Sequence, residues 1–424
     1  MPFRFVHTAD IHLDSPLSSL ALRDPELGEL VGTATRDALS NIVDLCLAER
    51  VDALLIAGDL YDGSQTSMKT AGFLAAEFRR LTAAGIRVFL IRGNHDAMSR
   101  IPREAIRPAG VHIFDGHARP EVLPGAADGR DVVVHGVSFA RPLAPESLLR
   151  KFAPPVPGAV NIAMLHTSLA GAEGHDVYAP VSSAELAGAG FDYWALGHVH
   201  VRRVVSDRPA IVMPGIPQGR DIGEAGAKSV TLVDLDGAGR AVIEARDVSR
   251  ARFERLEVDI STAGDLDAVV SLAGAGFGDL CAGTGAREVI LRLRLTGETP
   301  LAWRCRADRD ILMETLRAEA PAHLWIEKLE IACTPPGPTP ETDGATPVAD
   351  LARIVTEEIA GSAAFRDQGR DLLEQLRKAL PPDEAVRMAF GRDAAEADRL
   401  IDDLAAEGTA DVLARLATSG GDET

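Results

Sequence analysis

The chain has 424 residues, 46% of them hydrophobic, and a net charge of -19. That is more than one core usually accommodates, so a large catalytic domain with smaller units is expected; the negative balance excludes a protein that coats nucleic acid by bulk attraction, because such binding relies on Lys and Arg replacing counterions. The four cysteines, Cys46, Cys281, Cys305 and Cys333, lie far apart with no CxxC pair, which fits reduced core thiols rather than a disulfide framework or zinc knuckle.

No apolar run approaches the roughly 20 residues that span a bilayer, and the N-terminus enters a strand without a signal-peptide shape, so a cytoplasmic protein with no membrane segment is expected. Over the first 250 residues short apolar runs alternate with helix-like stretches, the pattern of an α/β layered fold. Phe3 to Thr8 leads into Asp10 and His12, and Ala53 to Ala57 leads into Gly58-Asp59. Arg87 to Ile91 (RVFLI) leads into the turn Gly93-Asn94-His95-Asp96, which places an amide oxygen, an imidazole and a carboxylate directly after a buried strand. Val160 to Leu165 leads into His166, and Tyr193 to Leu196 leads into His198 and His200. Residues 251–333 read as strand (FERLEVDI), helix, strand (EVILRLRLTG), helix (DRDILMETLRAEA) and strand (LWIEKLEIA), a compact second domain. Residues 334–347, rich in Pro, Gly and Thr, read as a linker. Residues 348–424 carry helical stripes, Leu351, Ile354, Val355 and Ile359 on one and Leu372, Leu373 and Leu376 on another. No internal repeat is present.

A lone histidine at a strand end is more often a hydrogen-bonded core residue than a ligand. Here five strand ends together supply two carboxylates (Asp10, Asp59), one amide (Asn94) and five imidazoles (His12, His95, His166, His198, His200). That mixture suits a pair of borderline-hard divalent ions such as manganese, iron or zinc and lacks the thiolates of structural zinc sites. Open sheets bind ligands at the carboxyl ends of their strands, where all five clusters fall.

Through HTADIHL, IAGDLYDG, IRGNHD, LHTS and ALGHVH the first 250 residues resemble the calcineurin-like metallophosphoesterases, most closely the SbcD-type DNA repair exonucleases and their bacterial YhaO-like group. The resemblance implies an α+β or α/β layered fold: a β-sandwich flanked by helices, a small α/β capping domain at 251–333 and a helical C-terminal tail. It assigns Asp10, His12, Asp59 and His200 to one metal, and Asp59, Asn94, His166 and His198 to the other, with Asp59 bridging. Such metals stand about 3.5–4 Å apart and clamp the attacking and leaving oxygens of an in-line displacement, with water activated between them. Manganese is the first expectation, iron or zinc the alternatives.

His95 is then the imidazole left to stabilise the transition state and protonate the leaving oxygen, and it needs a carboxylate partner. Asp62, in a Gly-Asp-x-x-Asp spacing typical of the superfamily's phosphatases, and Asp96 both qualify. The nuclease branch often carries a second histidine where Asp62 stands, so a smaller phosphodiester substrate stays in view. His175 on a loop, and Gln218 and Arg220 in PGIPQGR, are candidate substrate contacts. His7 and His135 read as core or supporting residues, and Trp194 as core.

The tail has 17 Asp and Glu against 9 Lys and Arg, so it is no basic arm for DNA. By resemblance it would dock on a coiled-coil ATPase of the structural-maintenance class (SbcC/YhaN type); packing on its own domain is the alternative. The leading expectation is a dimanganese DNA end-processing nuclease working with that ATPase. A phosphatase or phosphodiesterase for a small nucleotide or phosphoester is the second, and a non-catalytic scaffold for the ATPase the third. A homodimer is compatible with this layout.

Overall fold

The computed structural model describes residues 1–15, 25–62, 67–98, 108–117, 119–169, 178–284, 287–335, 351, 353–360, 362–379, 390 and 394–419. The chain divides into two compact units, Met1–Glu254 and Arg255–Thr424. His175 and almost all of the expected linker, 334–347, lie outside the described residues.

In chain order the strands of the first unit are β1 (Phe3–Thr8), β2 (Ala53–Ala57), β3 (Arg87–Ile91), β4 (Val111–Ile113), β5 (Glu121–Ala127) and β6 (Arg130–Val137). They are followed by β7 (Val160–His166), β8 (Tyr193–Gly197), β9 (Arg203–Asp207), β10 (Ala210–Met213), β11 (Ser229–Leu235) and β12 (Ala241–Asp247). One sheet runs β12-β11-β1-β2-β3-β4 and the other β5-β6-β7-β8-β10-β9. The runs β1-β2-β3-β4 and β6-β7-β8-β10 are parallel throughout, with antiparallel strands at the flanks. Helices α1 (Pro25–Glu49) and α2 (Met68–Ala83) cover the first sheet, and α3 (Ser183–Gly188) belongs to the second.

The pleat sorts side chains by period two. Leu54 and Ile56 of β2 join Ile42, Val43, Leu74 and Phe78 in the core under the helices. Leu55 and Ala57 instead join Phe5, Phe89, Ile162 and Met164 in the core shared by the two sheets. A third core, with Leu165, Trp194, Leu196, Ile211 and Leu186, lies on the other face of the second sheet. Each fully buried Leu or Phe contributes about 1.5–3 kcal/mol, so both faces of both sheets are committed and only strand ends remain for chemistry. This is the expected layered sandwich, and Trp194, whose indole N–H donates to the Leu186 carbonyl at 3.0 Å, is core as expected.

The second unit carries the sheet β13-β14-β15, with β13 (Ala251–Asp259) crossing the boundary, β14 (Glu288–Thr296) and β15 (Leu324–Ile331). Helices α4 (Leu266–Thr284), α5 (Ala302–Ala307) and α6 (Arg309–Glu319) share its core through Val269, Phe277, Cys305, Leu312 and Leu316. Contrary to the expectation from the sequence, α4 is long and apolar enough to cross a membrane, with mean hydropathy 1.3. One face of it packs on the sheet, where Val269, Ala273 and Phe277 meet the strands' Val289, Leu291 and Leu293, and most of the helix is not buried. The tail forms α7 (Ala363–Ala379) and α8 (Ala394–Ser419). These pair through Arg366–Asp402 and Arg370–Asp398, and α8 packs on α5 within the same unit.

Candidate metal centre

Because β1, β2 and β3 are parallel in one sheet and β7 and β8 in the other, their carboxyl ends gather the five predicted clusters. The loops after β1 and β2 run side by side: Asp10 N–H donates to Gly58 O at 3.0 Å, His12 N–H to Asp59 O at 3.1 Å, and Leu13 N–H to Leu60 O at 2.9 Å. Asp10, His12, Asp59 and His198 have φ of 52°, 45°, 49° and 100°, in the left-handed region. Such conformations cost of order 1–3 kcal/mol each for non-glycine residues and persist where the surroundings over-determine them, characteristically at functional sites. Two glycines make the approach possible. A Cβ on Gly93 would stand 2.1 Å from Asp59 Oδ1, and one on Gly58 would stand 2.4 Å from His166 Nδ1.

The donors form two adjoining clusters. Ligand atoms of Asp10, His12 and His200 lie within 4.8 Å of one another, as do those of Asp59, His166 and His198. His12 Nε2 faces His200 Nε2 at 3.3 Å. His166 Nε2 is 3.3 Å from Asp59 Oδ2 and 3.1 Å from Asn94 Oδ1. The clusters are joined by Asp10, which accepts the His198 N–H on both oxygens at 2.9 and 3.1 Å, while Asp59 accepts the His95 N–H at 2.9 Å. Outer contacts fix the rings. His166 Nδ1 donates to Ala57 O at 2.9 Å and His200 Nδ1 to Glu224 Oε1 at 2.7 Å, so each turns the lone pair of Nε2 inward, the tautomer a metal requires.

The electrostatics ask for positive charge. Burial alone would lower the His166 imidazole, yet the Asp59 and Asp10 carboxylates raise it to about 9. Burial lowers His12 to about 4 and keeps it a neutral donor. Burial would push Asp59 up, but His166, His12 and His95 overcome it and hold the carboxyl well below its usual range. Buried carboxylates converging with imidazole nitrogens are a donor set that divalent cations fit, and a cation there would take the place of the proton that the carboxylates hold on His166.

Asp62 stands beside His95, with Oδ1 3.3 Å from Nδ1, and 3.5 Å from His12 Nδ1. Burial alone would lower His95; Asp62, then Asp59 and Asp96, override it and raise it. Asp96 has a different task, accepting the Tyr61 N–H at 2.9 Å and the Gly93 N–H at 3.0 Å, which ties its turn to the loop after β2.

Arg220 lies at the same edge, its Nη2 3.4 Å from His200 Nδ1. Gln218 is turned to the backbone. Its side chain is 2% exposed, its amide donates to the carbonyls of Gly219 and Ala251, and its oxygen accepts the N–H groups of Arg250 and Ala251, which leaves it joining strand to loop rather than reaching a phosphate. His7 bonds Tyr193 Oη and Leu196 O at 3.0 Å each, and His135 bonds Asn161, both as supporting core residues. Glu224, which holds both His200 and Arg220, was not anticipated; the Arg-x-x-x-Glu spacing of 220 and 224 was its only trace.

Residues 3–202 match the family described as calcineurin-like phosphoesterase, and residues 253–334 match the middle domain of metallophosphoesterase YhaO. An uncharacterized metallophosphoesterase YhaO of Bacillus subtilis is 34% identical over 316 residues, 74% of this chain and 76% of that protein. The DNA double-strand break repair protein Mre11 of Aeropyrum pernix is 26% identical over 92% of this chain and 100% of its own. A component of the nuclease SbcCD of Rhodobacter capsulatus is 33% identical over 30% of this chain and 29% of its own. The chain thus belongs to the calcineurin-like metallophosphoesterases, in the family of YhaO.

Proposed function

We propose that this metallophosphoesterase is a two-metal phosphodiester hydrolase acting on DNA ends, a nuclease of SbcD type. The observation that carries the reading is the meeting of Asp10, His12 and His200 with Asp59, Asn94, His166 and His198 at one edge of the sandwich, beside the His95–Asp62 pair. In this reading Asp59 is shared between the two ligand sets, its two oxygens already turned to different neighbours. Divalent ions there, manganese first and iron or zinc next, would polarise a phosphoryl oxygen and make water nucleophilic near neutral pH.

The protein's own groups do the rest. His95, with Nδ1 against Asp62, donates from Nε2 to the leaving oxygen; Asp62 keeps the ring charged and oriented. Arg220, held by Glu224, meets a non-bridging phosphate oxygen. The names of the Aeropyrum and Rhodobacter relatives support DNA as the substrate. We also read residues 251–333 as the capping domain and residues 348–424 as the dock for a coiled-coil ATPase in the cytoplasm; Leu372, Leu376, Leu404 and Val412, all more than 40% exposed on α7 and α8, support that surface.

A second reading, a phosphodiesterase for a small nucleotide, is favoured by the carboxylate beside His95 and by the net charge of -19, which does not attract a polyanion. Hydrolysis with manganese of linear duplex DNA, single-stranded DNA and cyclic nucleotides, run in parallel with His95→Ala as the blank, decides between them. Cleavage of DNA alone is expected; turnover of cyclic nucleotides alone would overturn the nuclease reading.

A further inference from the structure

Glu224 ends a short 3-10 turn, Ile222–Glu224, whose first residue is capped by Asp221 accepting the Gly223 N–H at 2.7 Å. Its two carboxylate oxygens are fully used. Oε1 takes the His200 Nδ1–H at 2.7 Å and the Arg220 Nη2–H at 2.8 Å; Oε2 takes the Arg220 backbone N–H at 2.8 Å and Nε–H at 3.2 Å. The side chains are mostly buried, 13% exposed for Glu224, 21% for Arg220 and 26% for His200, so solvent screening is weak. The loop is pre-set from below, because Gln218 ties its base to Arg250 and Ala251.

Resting on the metal-centre reading above, we propose that Glu224 is a positioning residue serving two groups at once: as acceptor it holds the tautomer and ring direction of His200, and as bidentate partner it holds the guanidinium of Arg220 toward the substrate phosphate. Metal affinity on the His200 side and phosphate binding by Arg220 therefore depend on one carboxylate. Glu224 touches neither metal nor substrate in this scheme. Removing an outer partner of a ligating imidazole typically lowers metal affinity by about 10–100-fold. A charged hydrogen bond lost from a phosphate-binding guanidinium corresponds to about tenfold or more in binding.

The test uses the full chain and two variants, Glu224→Ala and Glu224→Gln, with Arg220→Gln as comparison. Free Mn2+ counted by electron paramagnetic resonance during titration reads affinity without turnover. Glu224→Ala should weaken one of the two Mn2+ sites about 10–100-fold. Glu224→Gln keeps an oxygen for the His200 N–H and should restore that site, while its amide no longer accepts both Arg220 donors. At saturating Mn2+ it should therefore raise KM for bis(p-nitrophenyl) phosphate about tenfold with kcat little changed, the same effect expected of Arg220→Gln.

Unchanged Mn2+ affinity in Glu224→Ala would overturn the His200 half. So would equal weakening in Glu224→Gln at an unchanged melting temperature, because charge rather than the acceptor would then matter. An unchanged KM in Glu224→Gln would overturn the Arg220 half. If Glu224→Ala does not fold, Glu224→Gln alone decides, since wild-type affinity with a raised KM is expected only of a positioning group. Failure of the wild-type chain to bind Mn2+ would instead overturn the metal-centre reading itself.

Discussion

The strand-end loops of the first unit and the tail helices of the second use polar and apolar residues in opposite ways. At the candidate metal centre Asp10, His12, Asp59 and His166 are at most 2% exposed, and their oxygens, rings and main chain are held by neighbours on several strands. On α7 and α8 the polar groups make surface ion pairs, while Leu372, Leu376 and Leu404 face solvent at 58%, 43% and 54% exposure. A buried carboxylate cluster is stable only when opposite charge completes it, whereas an amphipathic helix with exposed leucines is completed by another surface. The first region is specialised by over-determination, the second by what it leaves uncovered.

The sharpest way to break this contrast is at the buried ligands. Asp59→Ala should empty the site of manganese by elemental analysis and leave DNA hydrolysis at the blank level; retention of both metals would show that Asp59 is not shared. His95→Ala should lower kcat by about 10²–10⁴-fold, the usual contribution of a general acid, with metal content intact. Unchanged turnover of bis(p-nitrophenyl) phosphate would remove the proton-donor role. Gly93→Ala forces a Cβ to 2.1 Å from Asp59 Oδ1 and should cost about 1–3 kcal/mol in urea unfolding together with a loss of metal; a wild-type curve would mean the turn relaxes freely.

At the tail the expected stability effect is the smallest. Leu372→Gln should change unfolding free energy by no more than about 0.5 kcal/mol, as for surface sites in general. The same substitution should abolish copurification with a long coiled-coil ATPase. A stability loss as large as that of Gly93→Ala would mean that Leu372 is a core residue of the second unit rather than part of a docking face.

The sequence carried the layered sandwich, because period-two apolar runs on both sides of parallel strands can be satisfied only between layers. It carried the candidate ligand types too, because each follows a recognisable strand and turn, as in RVFLI before Gly93-Asn94. Tertiary structure decided what depends on partners distant along the chain. Asp62 rather than Asp96 stands against His95, since Asp96 is occupied by the Tyr61 and Gly93 N–H groups. Gln218 serves the backbone of residues 250 and 251, 32 and 33 residues away, and Glu224 reaches His200, 24 residues back. The positive φ at Asp10, His12, Asp59 and His198 is only weakly foreshadowed by sequence: Asp and His tolerate that region better than most residues, but the packed loops around them select it here. Residue types and strand order thus determined which chemistry the chain carries, while the folding of distant loops onto one edge determined which group orients which.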